Sequence, residues 1–178
     1  MWLNDGITIL ANKTNGIFML QTAKCEIKLL TDCQEHIPVL AKLWYEEISR
    51  HWAPSASIEK AKQKLIDHLN TNNMPMAYVA ICDGEAVGMA CLRETDGIRP
   101  GVAPWLGSLV VNPDYRGQQI GEILINAVKD RAKNLGHQIL YLLAFNPTIP
   151  NWYSRLGWKI IGDDKLFGHR VTVMNILI

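Results

Sequence analysis

Apolar positions along the chain switch between two periods, and the switches mark out the elements. Cys25 to Leu30 reads as a strand. Thr31-Asp32 offers a helix cap. Ile37, Leu40, Ala41, Trp44, Tyr45 and Ile48 then recur at helical spacing, which predicts a helix to about Ser49 with Pro38 in its first turn. His51, Trp52 and Pro54 form a break, and Ser57 caps a second helix from Ile58 to about Leu69. Met76 to Cys82 alternates as a strand, Asp83-Gly84 turns, and Glu85 to Leu92 returns, so this stretch is a hairpin with Cys82 facing Glu85 and Cys91 facing Met76. Glu94 to Pro104 is a punctuated loop. Trp105 to Val111 is apolar on both faces, as a central strand is. Ile120, Ile123, Leu124, Ala127, Val128, Ala132 and Leu135 form one helical stripe that Gly136 ends. Gln138 to Phe145 is a further strand, and Thr148 caps a short helix carrying Trp152, Tyr153 and Leu156. Strands at Trp158 to Ile161 and Arg170 to Ile178 close the chain. In residues 1–23, Asn15-Gly16 lies between apolar runs. That segment is either a hairpin or a poorly ordered extension. The order is β-α-α-β-β-β-α-β-α-β-β, an α/β (α+β) domain with a mixed sheet.

Composition narrows the function classes. At 178 residues the chain fits one domain, 24–178, behind the extension 1–23. Hydrophobic residues make up 48%, charged residues 20%, and the formal net charge is +1, so no bulk field draws it to nucleic acid or a membrane. Four cysteines (25, 33, 82, 91) form no C-x-x-C pair and have no histidine at ligand spacing, which argues against zinc. The hairpin register keeps Cys82 and Cys91 apart. With no signal-like N-terminus and no membrane-length apolar run, the expectation is a cytoplasmic protein with reduced thiols.

The chemistry gathers at one stretch. Leu109-Val110-Val111 feeds a short loop, Arg116-Gly117-Gln118-Gln119-Ile120-Gly121, which opens the long helix. A glycine-bearing loop there aims backbone N–H groups and a positive helix end at one point, as an anion site does. It has no G-K-[ST] and no G-x-G-x-x-G, so it is neither a P-loop nor a dinucleotide fingerprint. With its lead-in Leu109 to Pro113, this stretch resembles the [RQ]-x-x-G-x-[GA] acyl-CoA motif of the GNAT superfamily of N-acetyltransferases. Downstream, Asn146 and the run Trp152-Tyr153-Ser154-Arg155-Leu156-Gly157-Trp158 resemble that superfamily's second signature. The resemblance implies a mixed sheet of about six to seven strands flanked by about four helices, with a splayed central pair. It implies acetyl-CoA as acyl donor, with Arg116, Gly117, Gln118, Gln119, Ile120 and Gly121 on the pyrophosphate. Leu109, Val110 and Val111 would lie along the pantetheine, Asn146 would touch the CoA arm, and Tyr153 would be the general acid. The chemistry agrees: an amine attacks a thioester directly, and the departing thiolate benefits from a nearby O–H donor.

Two positions depart from the pattern. Gln119 stands where relatives carry glycine; if the backbone there is left-handed, a side chain costs about 1–2 kcal/mol. Trp105 stands where many relatives carry a glutamate base, and tryptophan cannot accept a proton. Glu94, Asp96, His51 and Glu47 are the substitutes, and Asp96 is taken as the candidate. The expected activity is acetyl transfer to a primary amine, on a small molecule or a peptide, with no nucleic acid or membrane partner and oligomeric state open, a homodimer included. A transferase using another acyl-CoA or an O-acceptor, and a non-catalytic acyl-CoA-binding regulatory module, are the alternatives.

Overall fold

The computed structural model describes the backbone of residues 9–12 and 19–22 and the whole of residues 25–178. Strands β1 (Ile9–Asn12) and β2 (Met19–Thr22) pair antiparallel, and the Asn15-Gly16 turn expected between them lies outside the described residues. Seven strands form the main sheet: β3 (Cys25–Leu29), β4 (Met76–Cys82), β5 (Glu85–Arg93), β6 (Trp105–Val111), β7 (Ile139–Ala144), β8 (Lys159–Leu166) and β9 (His169–Leu177). Their spatial order is β3-β4-β5-β6-β7-β9-β8, antiparallel throughout except between β6 and β7.

Helices cover both faces. The first, α1 (Ile37–Trp44), does not start at a Thr31-Asp32 cap; two 3-10 turns lead into it. It runs on through a π-helical segment, Tyr45–Ser49, into the single turn α2 (Arg50–Trp52). It therefore outlasts its expected end. The break comes at Ala53, which is extended because proline at position 54 disfavours helical backbone before it. The second helix, α3 (Ile58–Asp67), begins as expected, with the Ser57 hydroxyl accepting from the Lys60 N–H at 3.1 Å. The remaining helices are α4 (Ile120–Asn134) and α5 (Ile149–Arg155).

Alternation along the strands divides the core. Met76, Ala80, Val87 and Leu92 face α4, where Leu124 and Val128 meet them. Ala77, Val79, Ile81 and Met89 face the other way, onto Leu40, Trp44, Ala61 and Leu65 of α1 and α3. Burying one such Leu or Val side chain stabilises the fold by roughly 1.5–3 kcal/mol. A third cluster, Ile98, Trp105, Val171 and Val173, lies under the Glu94 to Pro104 loop.

Two expectations need correction. A register shift at Ala80/Ile81 puts Cys91 opposite Ala77 rather than Met76. The edge strand β3 puts Cys25 directly opposite Cys82, and the two form a disulfide with Cα atoms 4.1 Å apart. Four reduced thiols is thus not what the structure holds. Weighing only the hairpin pairing missed the strand on the other side of β4. Cys33 and Cys91 are free and buried. Among the described residues, no helix is long and apolar enough to cross a membrane, and no group of three or more His, Cys, Asp or Glu is placed to hold a metal.

Candidate active site

The sheet opens where its two parallel strands meet. β6 and β7 are in register only at Trp105↔Tyr141, and past that point they diverge. On its other side β6 stays paired with β5 as far as Val111, but with an irregularity between Met89 and Cys91. There Ser108 takes a left-handed backbone, φ 50°. Such a bulge bends a strand and re-aims its side chains and N–H groups. The groups of Leu109, Val110 and Val111 that face β7 are left without a strand partner.

Two hollows meet in this gap. One, of about 590 Å3, is floored by Leu109, Val110 and Val111 and closed by Arg116, Gly117, Gln119, Ile120 and Gly121 of the loop, while Gln118 does not line it. The other, of about 1100 Å3, opens toward α2, α3 and the Glu94 to Pro104 loop. Leu109, Asn146 and Tyr153 line both, so the hollows form one cleft through the sheet with these residues at its waist.

The loop meets the requirements of an anion cradle. Among the described residues, none of the N–H groups from Gly117 through Gly121 has a hydrogen-bond acceptor, and the first helical bonds start at Glu122 and Ile123, both to the Gln119 carbonyl. These donors converge at the N-terminus of a fifteen-residue helix. Arg116 is the exception to the expected set. Its N–H donates to the Pro113 carbonyl, and its side chain donates to the Val111 carbonyl at 3.1 Å and to Glu47 at 2.5 Å. Arg116 therefore ties the loop to the strand and to the π-helical segment instead of adding an N–H. Trp152 lies 3.5 Å from where a Gly121 Cβ would be, so the ring lies over the loop's last residue.

Gln119 is left-handed, φ 62° and ψ 7°, and caps α4 without a side-chain hydrogen bond. It is the strained residue its departure from glycine implied. Replacing Gln119 by glycine should raise stability by about 1 kcal/mol and keep or tighten CoA binding. Thermal unfolding and a calorimetric titration with CoA check this, and clearly weaker CoA binding sinks the placement of this loop on the pyrophosphate.

Tyr153 is 7% exposed and held edge-on between Trp152 and Trp158, at centroid distances of 4.8 and 5.7 Å. Its hydroxyl has no hydrogen-bond partner among the described residues and sits at the cleft's waist. Burial pushes its pKa well above the usual tyrosine value, which keeps it a neutral O–H donor. The Asn146 Oδ1 accepts from the N–H and the hydroxyl of Thr148, at 2.9 and 2.8 Å. Asn146 thus caps the approach to α5 and leaves its amide N–H groups to the cleft.

The four candidate bases fall in different places. Asp96 lines the larger hollow with its side chain 12% exposed, in an ion pair with Arg93. Burial pushes its carboxyl upward while Arg93 pulls against that shift. Glu47 lines both hollows but is held by Arg116. His51 lines the larger one, its Nε2 near the Arg50 side chain and the Glu46 carbonyl. Glu94 lines neither. Trp105 is wholly buried in the third cluster and donates to the Val102 carbonyl at 2.6 Å, away from the cleft.

Sequence reasoning missed Arg93, which packs its guanidinium over Gly107 and donates to the Ser108 hydroxyl. Its signal was a lone charge ending an apolar strand, three residues before Asp96. Trp52 also lines the larger hollow, stacked on Phe145 at 5.2 Å and 15°.

Comparison with known proteins agrees with this fold. The chain is 28% identical over 93 residues to an amino-acid acetyltransferase of Mannheimia succiniciproducens, a match over 52% of this chain that spans only 20% of that relative's length. Its fold is similar to that of the PaiA N-acetyltransferase from Thermoplasma acidophilum in complex with coenzyme A (TM-score 0.67, 20% identity, 87% of this chain and 99% of that one). It is also similar to N-acetylglutamate synthase from Neisseria gonorrhoeae complexed with coenzyme A and N-acetyl-glutamate (TM-score 0.65, 19% identity, 89% of this chain, 36% of that one). Residues 40–158 match the Acetyltransferase (GNAT) family. With two thirds of its length in that match and the splayed sheet around the loop, the chain belongs to the GNAT acetyltransferase family.

Proposed function

We propose that the protein moves an acetyl group from acetyl-CoA to a primary amine, by direct attack of the amine on the thioester. The observation that carries this reading is the continuous cleft, with an anion cradle in one hollow and the unpartnered Tyr153 hydroxyl where the two meet. The donor's pyrophosphate is held by the N–H groups of Gly117 to Gly121, its pantetheine lies along Leu109 to Val111, and Asn146 faces its reactive end. The acceptor enters from the larger hollow.

An ammonium of ordinary pKa, about 10.4 for a lysine-like amine, must lose a proton before it attacks. Asp96 is the buried carboxylate on the acceptor side and takes that proton, through water. The new N–C bond forms as the C–S bond breaks. Charge growing on the carbonyl oxygen meets N–H groups of β6 beside the Ser108 bulge, and Tyr153 donates its proton to the departing sulfur. The second proton lost by the acylated nitrogen passes through water to the Tyr153 oxygen, leaving amide, neutral thiol and one proton on Asp96. The acceptor is a small-molecule or peptide amine, residues 24–178 are the transferase unit, and the near-neutral charge supports action without a nucleic acid or membrane partner. A cytoplasmic site of action, where acyl-CoA is abundant, stands against the Cys25–Cys82 bridge, since a reducing cytosol opens such bonds. Alkylation of the protein as isolated, with four thiols or two blocked, decides between them.

The test is thiol release from acetyl-CoA across amines, polyamines, aminoglycosides and peptides. Amine-dependent release is expected. If acetyl-CoA binds tightly and no acceptor releases CoA, the protein is an acyl-CoA-binding module instead.

A further inference from the structure

The larger hollow carries an uneven set of charges. Two carboxylates line it, and both are already taken: Asp96 by Arg93, and Glu47 by Arg116 at 2.5 Å. Lys60 and Lys64 of α3 also line it. Lys60 donates to the Ser55 carbonyl at 2.8 Å, and the Lys64 ammonium stands 6.0 Å from the centre of the Trp44 ring. Among the described residues, neither is in an ion pair. His68, packed behind them, is 7% exposed, and burial reinforced by the Arg93 charge lowers its pKa to about 4, so it is neutral at pH 7. The side opposite α3 is apolar and aromatic: Trp52 stacks on Phe145, and the His169 ring meets Trp52 edge-on at 5.3 Å.

A polyamine or aminoglycoside would bring further ammonium groups into this hollow and find no free carboxylate for them. An amine that also bears an anion would find two ammonium groups outside any contact ion pair among the described residues. Lys64 acts on Asp96 only at longer range, where burial raises that carboxyl's pKa and the Lys64 charge pulls it down. Building on the transferase reading, we infer that the acceptor is a compound with a single amine and an anionic group, the anion held by Lys60 and Lys64 and the rest of the molecule lying against the Trp52–Phe145 wall. Lys60 and Lys64 are then specificity-determining residues. They are one turn apart on α3, so both reach one anion from the same helix face.

The experiment compares acceptors that differ in charge. L-Phenylalanine is set against phenethylamine, O-phosphoethanolamine against ethanolamine, and both pairs against spermidine and kanamycin, with kcat/KM read from CoA release. The anionic member of at least one pair is expected to win by about tenfold or more, the scale of one charge-assisted hydrogen bond. Which pair discriminates tells a carboxylate from a phosphate. The double variant Lys60→Gln/Lys64→Gln should bring both members of that pair to the same kcat/KM. A second arm needs no turnover: calorimetric binding of N-acetyl-L-phenylalanine and N-acetylphenethylamine, with O-phospho-N-acetylethanolamine and N-acetylethanolamine, to the CoA-loaded protein. Preference for spermidine or kanamycin, or equal behaviour of both members of both pairs in both arms, overturns the inference. Charge discrimination in binding without any turnover removes the transferase reading alone; turnover without discrimination removes this one alone.

Discussion

Tyr153→Phe should lower kcat by about 10²-fold, the lower end of what a positioned proton donor contributes, and leave the Kd for CoA within about twofold. The prediction rests on what the hydroxyl touches. It makes no hydrogen bond among the described residues, while the ring is wedged between Trp152 and Trp158. Removing the oxygen therefore removes no structural contact, and the melting temperature should hold. A rate fall of that size corresponds to about 2.7 kcal/mol of barrier, reasonable for a thiolate whose free thiol already has a pKa of about 8.5. The pH profile adds a check. Burial raises the Tyr153 pKa above its ordinary value, so the phenol stays protonated through the neutral and mildly basic range. The wild-type rate should not fall between pH 8 and about 10, and an amine acceptor should instead drive it upward as it deprotonates. A Tyr153→Phe enzyme with kcat within about twofold of wild type removes Tyr153 from the chemistry.

Asp96→Asn should cost about 3–5 kcal/mol of stability, because it leaves the Arg93 guanidinium without its carboxylate in a mostly buried site. Arg93 cannot relax easily. It lies against Gly107, where a Cβ would come within 2.6 Å of the guanidinium carbon, and it donates to the Ser108 hydroxyl on the bulge. The double variant Arg93→Met/Asp96→Asn removes both charges and should recover most of that stability, since a buried ion pair contributes little over an apolar pair of similar volume. Urea unfolding of the single and double variants reads the effect. Activity separates the two roles of Asp96: if it also accepts the ammonium proton, the refolded double variant stays slow at pH 7 and regains rate at high pH. Full activity at pH 7 in the double variant would leave Asp96 a purely structural partner of Arg93.

Much of the helix-opening loop and of the Tyr153 segment was legible in the sequence, and the reason is their locality. The cradle is a run of consecutive residues whose free N–H groups follow from being the first turn of a helix. Tyr153 and Trp158 come from one short segment, so their spacing was also readable. Gln119 could be singled out for the same reason: a left-handed cap is a local backbone property, and the residue was out of place there. The acceptor half was less legible. Asp96 could be named as one of four carboxylates and imidazoles, but its partner Arg93 came from a strand end and its neighbour Ser108 from a bulge on the next strand. Lys60 and Lys64 look like ordinary exposed residues of an amphipathic helix. Only the placement of α3 beside the Glu94 to Pro104 loop turns them toward a cleft.

The cysteines show the same division. Apolar alternation placed Cys25 and Cys82 on strands, and a hairpin placed Cys82 beside Glu85, as observed. Which strand lies on the far side of β4 depends on a crossover through α1 and α3, and no local pattern encodes it. By itself the sequence determined most of the elements, the family and the loop whose N–H groups stand free at the start of α4, because periodicity, caps and a helix N-terminus act over a few residues. Tertiary structure alone decided the Cys25–Cys82 bridge and the charge balance of the larger hollow, because each depends on the register between strands or the docking of a helix far apart in the chain.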